Sequence, residues 1–399
     1  MSDLKIHITD LASRYFQDTI GIRRHLHQHP ELSKQEEQTA AFICDTLDRF
    51  GISYKKGVAG FGVVGLIEGN NPGHRCIGLR ADMDALPVIE QNNVSYASMD
   101  KGKMHACGHD VHMSSLLGAA RILNELKDQF EGTVKLIFQP SEESYPGGAI
   151  EMINEGVLEN PDVMVVLGQH VMPTLDVGTV GFNPGPDMAS TDEIFLTVKG
   201  KGGHAAVPQL VVDPIVISAH IITALQQIVS RQADPGTPTV LSFGRIIGEG
   251  RTNIIPNEVK IDGTVRTYDE AWRKEIHKRI EAIATSIATG MGGSCEVRIA
   301  HGYPYLHNDE ELTIQLQSLA TEYLGEENVI ELEKRMTAED FAYFAQRVPS
   351  CLYRLGVRNE ERGITSFLHS PTFDVDEKSL ETGSGLMAWL TINLLETGE

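Results

Sequence analysis

The strongest constraint on how this 399-residue chain can fold is the scatter of its best divalent-metal ligands, which fall in four short segments spread over about 260 residues. These are CGHD (107–110), SEE (141–143), QHV (169–171) and LHSP (368–371). They act together only if the fold returns them to one place. Each lies just after a short apolar run or at the start of a helical pattern. Residues 76–79 lead into Arg80-Ala81-Asp82-Met83-Asp84, VKLIF (134–138) into Gln139-Pro140-Ser141-Glu142-Glu143, and VMVVL (163–167) into Gly168-Gln169-His170. In an open α/β sheet, ligands bind outside the carboxyl ends of the strands, where these residues are expected. The CGHD segment opens a helical stretch over about 111–126, whose free amides favour a thiolate and an anionic substrate.

The residue types indicate the chemistry. Cys107 and His109 are two apart, so on a loop both can turn to one site, offering a thiolate and an imidazole. Glu142 and Glu143 are adjacent, and side chains diverge where a strand runs into a loop; one carboxylate can bind metal while the other faces the substrate. His170 and His369 complete a set of five ligands with Cys107, His109 and Glu143. Two metals about 3.5–4 Å apart, sharing a water and polarising a carbonyl, make such a set a hydrolytic centre. Cys107 is placed as the bridge, because a thiolate can donate to both metals. Glu142 then takes the water's proton and returns it to the leaving amine. Asp84 is expected to orient a histidine ligand through its far ring nitrogen, with strand-end capping as the competing role for Asp84 and Asp82. Zinc, manganese, nickel and cobalt all suit these donors.

At this length two domains are expected. The first part alternates helix and strand signals, with a helix over 35–50 stopping at Gly51 and strands over 61–67 and 75–81. That alternation predicts a mixed, mainly parallel α/β sheet with flanking helices. From about Thr191 the order changes to strand 194–198, helix 213–230, strands 239–243 and 258–267, helix 271–289 and strand 295–300. This is the βαββαβ order of a ferredoxin-like unit. Helix 310–324, a loop leading to a helix over 336–346, strand 352–357 and helix 377–395 follow. The expected organisation is a discontinuous metal-binding domain, 1–188 and 303–399, interrupted by an insert at 189–302.

In the insert, GKGGHAAVP (200–208) presents His204 on a glycine-rich turn, where it can donate to a developing oxyanion. A phosphate-loop reading lacks the GK[ST] ending. Asn253 and Arg266 can bind a substrate carboxylate, with surface polar roles competing. RRHLHQHPE, with His25, His27 and His29, reads as a structural helix end rather than a third metal site.

An acidic excess of 55 to 34, formal charge −21, argues against nucleic acid and anionic membrane surfaces as partners. No stretch approaches the roughly twenty apolar residues of a membrane span. The first residues lack a signal-peptide layout, and five cysteines contain no CxxC, so a reducing, cytoplasmic setting is expected.

Taken in order, RRHLHQHPEL, RADMDALP, MHACGHD, QPSEE, GGHAAVP, NIIPNEV, AEDFAYF and LHSP resemble the amidohydrolase branch of the aminoacylase and carboxypeptidase-G-like dinuclear metallopeptidases over almost the whole chain. That branch includes hippurate hydrolases and indole-acetyl-amino-acid hydrolases. The resemblance implies a catalytic domain holding two divalent metals, a smaller lid or dimerisation domain, a homodimer or higher homo-oligomer, and hydrolysis of the amide of an N-acyl-amino acid. It implies Cys107, His109, Glu143, His170 and His369 as ligands, Glu142 as base, and Asn253 and Arg266 as holders of the substrate carboxylate. His204 matches an oxyanion-stabilising histidine that in similar enzymes can come from the neighbouring subunit. Two positions depart from the pattern: Ser141 stands where many relatives have alanine, and Gln209 where a histidine often follows the proline. A dipeptidase on the same site is the nearest alternative, and an inactive dimeric binding scaffold a remoter one.

Overall fold

The helices and strands expected from apolar periodicity form, with others between them, and at several helices the terminal residues account for where they start or stop. In this computed structural model, which describes residues 3–396, the chain opens with α1 (Asp3–Gln28), α2 (Glu37–Phe50), β1 (Ser53–Val58), β2 (Gly62–Glu68) and β3 (Cys76–Asp82). It continues through α3 (His109–Glu125), β4 (Thr133–Gln139), α4 (Gly148–Asn154), β5 (Val165–Asp176) and β6 (Val180–Phe182). Next come β7 (Asp192–Lys199), α5 (Pro214–Gln227), β8 (Thr239–Ile247), β9 (Glu258–Thr267), α6 (Glu270–Gly290) and β10 (Ser294–His301). The last part holds α7 (Glu310–Leu324), β11 (Val329–Glu331), α8 (Ala342–Ala345), β12 (Ser350–Arg358) and α9 (Ser379–Glu396). Gly51, at φ 69°, ends α2 with its N–H on the Asp48 carbonyl, and Asp213, Asp269 and Asp309 cap α5, α6 and α7 with their side chains.

The chain forms two compact units: Met1–Asp187 with His307–Lys334 and Asp340–Glu399, and Met188–Leu306 with Arg335–Glu339. In the first, eight strands lie in the order β1-β2-β4-β3-β5-β12-β6-β11. The central run β4-β3-β5-β12 is parallel, β6 pairs parallel with β11, and the other pairings are antiparallel. This is the mixed, mainly parallel sheet expected. Every residue of β3 and β4 is buried, as the central strands of a sheet covered on both faces should be. Helix α3 is buried on nearly all sides, and it crosses α9 so closely that a Cβ on Gly118 would sit 2.3 Å from Ser384 Oγ.

One strand differs from expectation. The apolar run ending at Leu167 suggested that His170 follows a strand end, yet β5 runs on to Asp176. His170 lies beyond the last β3–β5 pair, Arg80 with Gly168, and its ring packs against His112 with centroids 4.6 Å apart.

The second unit is a four-stranded antiparallel sheet in the order β8-β9-β7-β10, with α5 and α6 packed on it. Order and direction are those of a ferredoxin-like unit. The chain visits this unit again at Arg335–Glu339, where the Arg335 and Thr337 carbonyls both accept the Ala189 N–H. No helix among the described residues is long and apolar enough to cross a membrane.

Asp192, at the start of β7, ties this unit together. Its oxygens accept Arg273 Nε at 2.8 Å and Nη2 at 2.6 Å, His277 Nε2 at 2.7 Å and the Gly302 N–H at 3.1 Å. Burial opposes ionisation, but the Arg273 and His277 hydrogen bonds outweigh it and hold the carboxyl well below the usual carboxylate range. A depressed folded-state pKa adds stability that is present above the unfolded value of about 3.9 and is lost as pH falls towards the folded one. Asp192→Asn is therefore expected to destabilise the protein by about 3–5 kcal/mol at pH 7. In thermal melts across pH, its gap from the parent protein should narrow as pH drops below about 4.

Candidate metal centre

The site is built on the carboxyl ends of β3 and β4, which run parallel with Asp82 opposite Gln139. Beneath it lies Arg80, 2% exposed, whose guanidinium donates to Asp82 Oδ2 at 2.6 Å, Gln139 Oε1 at 2.8 Å and Asp340 Oδ1 at 2.9 Å. Beyond the strand end Asp84 takes the backbone of the SEE turn: Oδ1 accepts the Glu142 N–H and Oδ2 the Glu143 N–H, both at 3.0 Å. The adjacent glutamates are thus held on a turn and can point apart. Asp84 Oδ1 also lies 3.5 Å from His109 Nδ1, the far-nitrogen arrangement expected of it.

The remaining segments converge on the same place. Gly108, at φ 85°, precedes α3 where a Cβ would sit 2.5 Å from Val171 Cγ2, so the CGHD turn needs glycine there. The His369 N–H donates to the Ala106 carbonyl at 2.8 Å, tying the LHSP loop to the CGHD segment. His369 Nε2 is 3.3 Å from Glu143 Oε1, and Cys107 Sγ is 3.7 Å from His170 Nε2. Donor atoms of Cys107, His109 and His170 lie within 4.8 Å of one another, as do those of Cys107, Glu143 and His369, and those of His109, Glu142 and Glu143. Cys107 is common to the first two groups.

These residues fit divalent metal. Both ring nitrogens of His109 and Glu143 Oε1 are buried without a hydrogen-bond partner. His170 donates from Nδ1 to the Val171 carbonyl at 2.8 Å, which leaves the Nε2 lone pair free. Burial, then His112 and Arg354, push its pKa well down, so the ring is neutral. Burial and then the Glu143, Glu142 and Asp82 carboxylates push the Cys107 thiol well up. His109, despite its burial, is held up at about 10 by Asp82 and Asp84. The pocket gathers negative charge that a cation neutralises, and a thiolate forms there only beside one.

Several residues at the site escaped sequence reasoning. His112 joins Asp82 and His109 in a further donor group, but its nitrogens are used: Nε2 accepts the Val171 N–H at 2.9 Å, so the proton is on Nδ1, which donates to Asp82 Oδ1 at 2.6 Å. Asp82 therefore braces Arg80 and His112. Fully buried Arg23 donates to Asp110 at 2.8 Å and to Asp374 at 2.9 Å, linking the CGHD helix to the stretch after His369. His27 shares that Asp110 oxygen at 2.8 Å and lies 3.2 Å from Glu90. The RRHLHQHPE motif was the one available signal for them, and it is indeed the end of α1. His105, buried with both nitrogens unpartnered, is pushed by burial down to about 3.

The other predicted residues belong to the second unit. His204, exposed, sits in a short antiparallel pairing with Ile254, and the Ala205 N–H donates to the Asn253 carbonyl, so His204 and Asn253 are neighbours. His204 Nδ1 accepts the Ala206 N–H at 3.1 Å, leaving Nε2 as an outward N–H donor. Arg266 is half-buried with no ion pair among the described residues. It stands near the far end of β9, eight residues beyond Glu258, or about 26 Å along the strand.

A parallel-sheet domain with overlapping thiol, imidazole and carboxylate donors at its strand ends, and a base-competent glutamate among them, defines a metal-dependent hydrolase. The chain belongs to the peptidase family M20/M25/M40, whose model matches residues 78–392. It is 40% identical over 380 residues to the N-acetyl-L-cysteine deacetylase of Bacillus subtilis, covering 95% of this chain and 89% of that one. It is 44% identical over 307 residues to the N-acyl-L-amino acid amidohydrolase of Geobacillus stearothermophilus, covering 77% and 82%. Among solved structures it superposes on the Bacillus subtilis YXEP protein, described as a dinuclear metal-binding peptidase of the M20 family, with TM-score 0.84, 34% identity and coverage of 97% and 100%.

The bonding of His112 separates it from the candidate ligands in a measurable way. His112→Gln, which keeps one donor and one acceptor, should retain its metal content by elemental mass spectrometry, whereas His109→Ala should lose at least one equivalent.

Proposed function

We propose that this protein is a metal-dependent amidohydrolase that cleaves the amide bond of N-acyl-amino acids. The observation that carries the reading is the sharing of Cys107 between two donor groups, with His109 and His170 on one side and Glu143 and His369 on the other. It supports Cys107, His109, Glu143, His170 and His369 as the residues that would hold two divalent ions, with Cys107 common to both donor groups and zinc, manganese, nickel or cobalt suited to the donors. The relatives that act on N-acyl-amino acids by name support the substrate class.

Bound there, two divalent ions supply Lewis acidity towards the scissile carbonyl and a lowered pKa for the attacking water. Glu142 is 6% exposed, with Oε1 3.4 Å from the Asp340 N–H, beside Glu143 but in a different donor group from Cys107. It accepts the water's proton and delivers it to the leaving amine. Asp84 keeps the two glutamates apart and orients His109.

We read the second unit as the lid and dimerisation domain of this enzyme, with the first as its discontinuous catalytic domain. His204 and Asn253 lie beyond one end of β9 and Arg266 near the other, while an N-acyl-amino acid is far shorter than the strand. That spacing separates His204, read as an oxyanion donor supplied to a neighbouring subunit, from Arg266, which with Asn253 is read as a holder of the substrate carboxylate. Edge strand β8, with Ile246 and Ile247 exposed, supports a homodimer or higher oligomer. Five free cysteines support a reducing, cytoplasmic setting.

The test is amine release from N-acetyl-, N-benzoyl- and longer N-acyl-amino acids and from dipeptides, using metal-stripped protein reloaded with manganese, zinc, nickel or cobalt. Metal-dependent cleavage of acyl substrates is expected; cleavage of dipeptides alone would make the protein a peptidase, and silence with metal bound would remove the activity. Glu142→Gln should keep its metal and lose about 10²–10⁴-fold in kcat, and near-normal turnover would exclude it as the base.

A further inference from the structure

The turn that carries the base is held from two sides, and only one of them belongs to the residues already assigned a role. Asp84 takes the amides of Glu142 and Glu143, but the preceding amide, Ser141, donates to Glu36 Oε1 at 2.7 Å. Ser141 Oγ donates to the same oxygen at 3.1 Å and accepts the Lys34 N–H at 2.9 Å. Ser33 Oγ, from the same short segment, donates to Asp84 Oδ2 at 2.6 Å. Glu36 is fully buried, and its Oε2 has no hydrogen-bond partner. Ser141 itself has φ 58°, in the left-handed region that a residue with a side chain occupies only when its surroundings over-determine it.

We propose that Glu36 is a positioning residue for the reaction, holding Ser141 in its left-handed conformation so that Glu142 points at the reacting atoms while Glu143 points at metal. The three successive amides 141, 142 and 143 are divided between two buried carboxylates, and the direction of the Glu142 side chain is set at the division. Residues 33–36, ahead of α2, are thereby part of the framework that holds the two glutamates. This rests on the amidohydrolase reading and on Glu142 as base.

The experiment compares Glu36→Ala, Glu36→Gln and Glu36→Asp in metal-loaded full-length protein, reading metal content, the absorption spectrum of the cobalt form, kcat and KM separately, and kcat against pH. Glu36→Ala is expected to keep its metal and a KM within about threefold while kcat falls about 10–100-fold and the acid limb of the pH profile shifts. Glu36→Gln, which keeps an acceptor oxygen, should restore both to near the parent values. An active parent enzyme with kcat and acid limb unchanged in Glu36→Ala overturns the positioning role; a parent inactive on every acyl substrate overturns the amidohydrolase reading instead. If Glu36→Ala loses its fold or its metal, Glu36→Asp decides, because it keeps the charge but draws the carboxylate back from the Ser141 amide: reduced kcat at full metal content upholds the role, and parent-like kcat and pH profile overturn it.

Discussion

A single buried guanidinium underlies the whole site. Arg80 sits at the end of β3 with no access to water, and a charge there is tolerable only because Asp82, Gln139 and Asp340 meet its nitrogens at 2.6–2.9 Å. Those partners come from three places in the chain, β3, the end of β4 and the start of the segment leading to α8. Satisfying one cation therefore forces three chain segments into register. Gln139 repeats the tie by donating to both oxygens of Asp340, and the Asp340 N–H in turn faces Glu142. Glu142 stands on a network whose geometry admits little variation.

Above that floor, negative charge accumulates. Asp82, Asp84, Glu142 and Glu143 crowd round one thiol and three imidazoles, and the nearest arginine is already spent on the floor. The hydrogen bonds within the cluster go mainly to backbone amides and to His112, leaving both nitrogens of His109 and Glu143 Oε1 without partners and His170 Nε2 facing only the Cys107 sulfur. Such a pocket is costly when empty of cations and stable when filled, which is the physical sense in which the fold is completed by metal. Arg23 plays the matching part at the side, where Asp110 and Asp374 carry the CGHD and LHSP segments towards each other.

What could be read in advance depended on how local the determinant was. The end of α2 follows from Gly51, and the βαββαβ order of the second unit from periodicities confined to single elements. The five donors were legible because thiol, imidazole and paired carboxylates are rare in loops after apolar runs. His170 shows the limit: the apolar run stops at Leu167, but β5 continues because β12 pairs with it as far as Asp176, and pairing is invisible in one strand's own sequence. His112 shows another, since only its bonds to Asp82 and Val171 distinguish it from the candidate ligand three residues before it. The return of the chain to the second unit at Arg335–Glu339 had no local signal at all.

By itself the sequence determined the kinds of atoms this protein brings to its chemistry and the elements that carry them, because residue type and helix or strand period are properties of neighbouring residues. Only the tertiary structure decided which carboxylates brace and which remain free, how each imidazole is bonded, and where along β9 Arg266 stands relative to His204 and Asn253. Those outcomes are set by hydrogen bonds between residues as far apart as Arg80 and Asp340 or Arg23 and Asp374, and bonds of that range exist only once the chain has closed on itself.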